Sequence, residues 1–322
     1  MDRRKCLLAL AAFPGILALA KEPLPEGPGE KGVGLTQPEA AQGWLSLIDL
    51  GSSFGWDDAR RGDGALLAGQ FGLPLNHCKI RLLSRQGAAV ALGKEVLKLE
   101  ANKPLEVETG KGLNLLRVQE GMLNSAAILP LGLEKMFNGK NLDGWKEITR
   151  KNPSPATWEV KEGALYARGG PAAMEWQGPD LGDFILRIRV ESLARYANGG
   201  LFFRSIRGDF MNGYEAQIYS RCEDNDACKP SKWATGAIDD RQQARRLVSR
   251  DFEPFTMTVI AKGPRLGIWV NGYQTVDWID TRSLDDNPRK GRREKPGAIQ
   301  VQAHDPLTDL RFLDISARPF LA

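Results

Sequence analysis

Histidine is almost missing from this chain: His77 and His304 are the only two among 322 residues. That excludes a histidine-rich metal centre, and any chemistry needing adjacent imidazoles unless these two meet in space. The sequence has no Gly-rich phosphate loop, no G-x-S-x-G elbow and no H-E-x-x-H run. Nucleotide enzymes, serine hydrolases and zinc proteases therefore lack their minimum parts. Long helical patterns are missing too, whereas Gly at 35 and Pro at 19 supply many turns. Hydrophobic residues at 42% and charged residues at 26% match an ordinary globular protein, which excludes disorder, collagen and a multi-span membrane protein. The length of 322 residues suits two domains.

One apolar segment stands at the N-terminus. Arg3, Arg4 and Lys5 precede the stretch 6–19, and Ala18 and Ala20 put small residues at −3 and −1 of a cleavage site. The segment is short for a membrane span and contains Pro14 and Gly15, so residues 1–20 read as a signal peptide. An uncleaved membrane anchor is the rival reading. Removing three basic residues and one acidic residue leaves 41 basic against 39 acidic. The mature chain is thus expected to be exported, periplasmic or extracellular, nearly neutral, and without a stable membrane span. Cys222 and Cys228 flank the polar loop CEDNDAC, and a disulfide closing it suits an oxidising compartment. Zinc at that loop would need partner thiols or imidazoles, which the surroundings lack. Cys78, in the apolar context CKIRLL, is expected to be a buried thiol.

The mature chain reads as all-β. Residues 21–35 form a Pro/Gly-rich, charged lead-in, and Thr36 with Glu39 fits a capping box over a brief helical turn through Ala41. From there, short apolar or alternating runs are separated by turn signals. KIRLL, AAVAL and LEVET come first, then FILRIRV, GLFFRS, YEAQIYS, FTMTVIA, LGIWVN, YQTVDWI and AIQVQAH. Asn271-Gly272 between two such runs is a strong hairpin signal, and Asn212-Gly213 plays a similar part before YEAQIYS. This density of short strands means a sandwich or jelly roll. The segments IDLGSSFGW and FNGKNLDGW echo each other, closing on Trp56 and Trp145. We place a smaller β-rich domain at 36–131 and a larger one at 132–322; the echo reads the first as a degenerate repeat of the second, and chance similarity is the rival reading.

Side chains two apart on a strand share a face. Phe202 and Arg204 then lie together, as do Glu215, Gln217 and Tyr219, and Gln300, Gln302 and His304. Three strands each offer a polar face backed by an apolar one. Amides, a carboxylate, a guanidinium and an imidazole suit sugar hydroxyls, which want planar donors and acceptors. The plainer reading is a set of solvent-facing residues on half-buried strands. Most tryptophans of a β-sandwich are core, but Trp233 lies in the polar loop KPSKWATGAI and is the best candidate for stacking on a sugar. Two basic clusters, one at Arg241, Arg245, Arg246 and Arg250 and one from Arg289 to Lys295, are interleaved with Asp and Glu. They read as solvated loops, with no nucleic-acid partner.

The order FNGKNLDGW, WEVKEGALYA, GDFILRIRV, NGGLFFR, GYEAQIYS, TGAI, WVNG and QVQAHDP…LRFLDI resembles the 3-keto-disaccharide hydrolase domain family over about residues 133–317. The resemblance implies a concanavalin A-like jelly-roll sandwich whose concave face is the polar face just described. It also implies a substrate, an oligosaccharide or a glycoside oxidised at C3. The C3 carbonyl acidifies the C2 hydrogen, a base removes it, the C1 oxygen leaves, and water adds back. Such a route needs one base, an enolate stabiliser and hydroxyl recognition, not two flanking carboxylates. On this sequence Glu215 or His304 would be the base, and Arg204 or a divalent cation the enolate stabiliser. Gln217, Gln302, Gln300, Tyr219 and Trp233 would bind the sugar. A cation, if one binds, would take Glu215, Gln217 and His304. A non-catalytic glycan-binding module of the same fold is the alternative.

Overall fold

Alternating side chains, interrupted by turn residues, fold the described residues into four antiparallel sheets. The computed structural model describes residues 31–49, 52–110, 112 and 114–320. The expected signal peptide and residues 21–30 of the lead-in lie outside them. The α-helix Gln37–Gln42 starts as the sequence predicts: the Thr36 hydroxyl accepts the Glu39 amide, and the Glu39 carboxylate accepts the Thr36 amide at 2.8 Å. Asn271 and Gly272 both take positive φ, 47° and 75°, and join the strands Arg265–Val270 and Tyr273–Ile279 in the expected hairpin. Asn212-Gly213 instead ends a longer loop, 206–213, between paired strands.

Residues 45–130 build a four-stranded and a five-stranded sheet around one core that includes Leu66, Phe71, Ile80 and Val90. Residues 134–319 build an eight-stranded and a five-stranded sheet around a larger core that includes Leu186, Ile188, Leu201, Phe203 and Val301. The described residues form a smaller β-sandwich followed by a larger jelly-roll sandwich.

The two sandwiches repeat one topology. In the first, the opening strand Leu45–Ser46 pairs with the closing strand Ser125–Pro130, followed across the sheet by Cys78–Leu83 and Leu105–Glu108. In the second, Glu134–Lys135 pairs with Asp309–Pro319, followed by Phe184–Ser192 and Phe255–Lys262. The remaining sheet of the first runs Trp56–Gly62, Ala65–Phe71, Leu116–Gly121, Ala88–Leu92, Glu95–Leu99. Its counterpart runs Trp145–Ile148, Ala172–Trp176, Ala298–Ala303, Gly199–Ser205, Tyr214–Ile218. The correspondence never reverses along the chain. The second sandwich adds the hairpins of residues 156–169 and 265–279. The Gly-Trp echo has a matching local structure: Trp56 Nε1 donates to Leu47 O and Trp145 Nε1 donates to Met136 O, each nine residues upstream.

The sandwiches share apolar surface. Along the eight-stranded sheet Leu186, Val259 and Ile268 face its own core, while Ile185, Ile260 and Trp269 join the core of the first sandwich. Trp269 Nε1 donates to Ser46 O at 2.9 Å, and Arg245 pairs with Asp49 at 2.9 Å. The first sandwich therefore covers the back of the second and leaves the five-stranded sheet of the second as the other outer layer.

Cys78 is buried as expected; its thiol, donating to Asn76 O, is pushed up to about 12 by that burial. The expected disulfide is corrected: Cys222 and Cys228 are both free thiols. The Cys228 sulfur is turned to Arg246, whose Nη1 reaches it at 2.7 Å, so short sequence spacing does not direct it at Cys222.

Candidate functional site

In an antiparallel sheet, directly paired residues point to the same face. The outer face of the five-stranded sheet of the second sandwich carries two such rows. Glu175, Gln300, Phe202 and Glu215 form one; Ala173, Gln302, Gly200 and Gln217 form the next. The opposite face, with Met174, Val301, Leu201 and Ala216, enters the core. His304 and Tyr219 follow one step beyond their strands, so alternation puts them on the same side as Gln302 and Gln217. There His304 Nδ1 lies 3.2 Å from Asn198 Nδ2 and 3.0 Å from Asp305 Oδ2. The structure thus gathers Glu215, Gln217, Gln300 and Gln302, with His304 and Tyr219 at one end.

Glu215 is the chemical centre of this face. It is 2% exposed, and its Oε2 accepts a 2.7 Å bond from Arg289 Nη2. Arg289 also gives Nη1 to Asp239 and Nε to Met211 O, and its guanidinium stands 5.4 Å from the Phe202 ring centre. Every nitrogen group of Arg289 is engaged, so it holds Glu215 rather than a solvent ion. Burial nevertheless dominates and raises the Glu215 carboxyl from 4.5 to about 7, against the pull of Arg289 and with help from Asp239. Among the described residues, Glu215 Oε1 has no hydrogen-bond partner, nor do Gln217 Oε1, Gln300 Oε1, Asn198 Oδ1 or either amide atom of Gln302. Buried polar atoms are expensive to leave unmade, and this row has the donors and acceptors that hydroxyl or carbonyl groups could satisfy.

Gly200 makes the space. A Cβ there would stand 2.5 Å from Glu215 Oε1 and 2.9 Å from its Cγ. The carboxyl leans over the bare backbone, with Gln302 and Gln217 on the flanking strands. Gly200→Ala is expected to displace Glu215 from this position and lower any turnover roughly 100-fold, since small misplacements of reacting groups cost about that much. Activity within a few-fold of wild type, with an unchanged far-ultraviolet spectrum, would remove Glu215 Oε1 from the site.

Arg204 does not belong to this set. Pairing slips by one residue between Phe202 and Ser205, and Arg204 has φ 47° at that bulge. Its buried guanidinium donates to Gly182 O, Gly263 O and Arg293 O and meets Asp183. The guanidinium on the face is that of Arg289, which the sequence placed among solvated loops. Trp233 is 47% exposed beside the end of the Tyr219 strand, where Thr235 donates to Tyr219 O; its ring meets Lys232, not the Glu215 row. The cation set of Glu215, Gln217 and His304 does not fit well: His304 Nδ1 is turned to Asn198 and Asp305, and no group of three or more His, Cys, Asp or Glu side chains suits a metal among the described residues.

The sequence profile of the 3-keto-alpha-glucoside-1,2-lyase-like domain, the 3-keto-disaccharide hydrolase family, matches residues 132–318. The chain belongs to this family. Its domain contains the whole polar face and the back sheet, while the first sandwich lies outside the match. Two solved candidate glycosyl hydrolases from Parabacteroides distasonis are similar to it. One is 17% identical, with 59% of this chain and 94% of that chain covered at a TM-score of 0.46. The other is 20% identical, with 58% and 99% covered at 0.47. A carbohydrate-binding module, CBM66, from Bacillus subtilis is 17% identical, with 55% and 97% covered at 0.40. Comparison with curated proteins finds no match.

Proposed function

We propose that this chain is exported and that its 3-keto-disaccharide hydrolase domain cleaves 3-keto-glycosides, with Glu215 as the base. One observation carries the reading: a buried carboxyl is pinned through Oε2 by Arg289 and bare at Oε1, beside unpartnered amides. Oε1 takes the proton from C2, and the C–H electrons form the enolate conjugated with the C3 carbonyl. The C1–O bond then breaks, and the leaving oxygen takes a proton from water or from His304. Water adds back at C1 and a proton returns to C2, so the net reaction is hydrolysis. Gln302 Nε2 is an unpartnered donor on this face and suits the developing C3 oxyanion. Gln217, Gln300 and Asn198 present bare amide oxygens, which accept from sugar hydroxyls. A carboxyl raised to about 7 is matched to proton abstraction near neutral pH.

The test is incubation of the mature protein with 3-keto-trehalose and aryl 3-keto-glucosides, following free sugar or phenol. Release from the oxidised compounds, with none from the parent glucosides, is the expected result. Binding of unoxidised glycans without cleavage of any 3-keto compound would overturn it in favour of a glycan-binding module.

A further inference from the structure

The polar face is closed at one end and open at the other. At the closed end, Glu175, Gln300, Phe202 and Glu215 are each no more than 2% exposed. Two loops are tied across them. Gly208 N donates to Glu175 at 2.8 Å, Gln300 Nε2 donates to Asp209 O, Arg289 Nε donates to Met211 O, and Asn287 Nδ2 donates to Asn212. The His304 end differs: His304 and Tyr219 are half-buried, and Tyr196 is 40% exposed. Same-face residues recur about every 6.8 Å along a strand, so Tyr219 lies roughly 13 Å from Glu215. That span is longer than a single sugar ring.

Two tyrosines stand at this opening with two arginines, Arg195, whose guanidinium lies 5.1 Å from the Tyr196 ring, and Arg221. The Tyr196 and Tyr219 rings are 6.2 Å apart at 53°, and Tyr196 precedes Asn198, whose amide meets His304. Arg221 Nη1 donates to the Tyr219 hydroxyl at 3.1 Å, and its guanidinium stands 5.7 Å from the Tyr196 ring. Nearby Lys229 and Lys232 are neutralised by Asp224 and Asp240. Arg221 is exposed and has no carboxylate partner among the described residues.

We propose that this opening is a leaving-group subsite selective for an aglycone ring that bears a carboxylate. It rests on the reading that the reacting sugar lies at Glu215. The closed end takes the terminal sugar, the tyrosine faces take the next ring, and Arg221 pairs with its carboxylate. The chemistry at C1 is unchanged; the subsite chooses what leaves.

The test compares 4-carboxyphenyl 3-keto-glucoside with its methyl ester. Titration calorimetry on the Glu215→Gln protein reads binding without turnover, and kcat/KM on the wild-type protein reads selectivity. The acid is expected to bind roughly tenfold tighter than the ester at low salt, a preference that Arg221→Ala erases. Equal binding of acid and ester, or a preference that survives Arg221→Ala, would overturn the subsite. Cleavage of both compounds at equal kcat/KM would leave the hydrolase reading standing and the subsite refuted. Selective binding of the acid with cleavage of neither would leave a carboxylate-selective ring site standing and refute the hydrolase reading together with the leaving-group role. Binding of neither compound would refute both.

Discussion

Glu215→Gln is expected to lower kcat on a 3-keto-glycoside by roughly two to four orders of magnitude while changing substrate affinity little, the range for removing a positioned general base. The amide keeps the shape and still accepts from Arg289, so the guanidinium remains held. What is lost is the capacity of Oε1 to take a proton. In the wild-type protein the ionised form is the active one. Because the group titrates at about 7, kcat/KM should climb about tenfold per unit below that pH and level off above it. The same shift has a signature in stability. The folded value lies above the ordinary 4.5, so the fold favours the protonated carboxyl. That contribution is fully present below the unfolded value and is lost as pH rises through about 7. Thermal melts at pH 5 and pH 8 should therefore show the wild-type protein losing more stability than Glu215→Gln over that interval. A structural ion pair would behave differently, with melting altered and kcat within a few-fold. That outcome would take the base assignment down.

The polar face could be read from sequence because its rule is local. Glu215 with Gln217, and Gln300 with Gln302, need only the two-residue period of a strand, and pairing across Gly200 and Phe202 aligns them. Arg204 followed the same rule and failed, because one extra residue at a bulge rotates it off the face. Arg289 obeys no local rule at all. It reaches Glu215 across 74 positions, from a loop whose composition matches any solvated basic cluster. The signal that could have found it is energetic: a carboxylate on a buried strand requires a cation from somewhere. Cys222 and Cys228 show the limit of spacing as evidence, since a short loop brings backbones together without aiming two sulfurs at each other. The Gly-Trp echo carried more than its length suggested. Each indole ties its segment back to the carbonyl nine residues upstream, and each opens the equivalent strand of a repeated topology.

The repeat also explains why the back sheet is apolar on both faces. Trp269→Ala is expected to destabilise the protein by about 3–5 kcal/mol, the usual cost of emptying a buried aromatic site. For a chain of this size that is a fall in Tm of roughly 5–8 °C. Trp269 is wholly buried between the sandwiches, with Phe71 at 6.4 Å and Ser46 O accepting its indole N–H. Its truncation opens a cavity in the first core and strands the Ser46 carbonyl. Trp269→Phe keeps most of the ring and loses only the hydrogen bond, so its cost should be nearer 1 kcal/mol. Both variants should keep wild-type kcat well below their melting temperatures, because Glu215 and its amides lie on the other sheet. Melting should also stay a single transition, since Ile185, Ile260 and Trp269 belong to strands of one sandwich and to the core of the other. Two separated transitions, or a Trp269→Ala protein as stable as wild type, would mean that the first sandwich is not needed to cover the second.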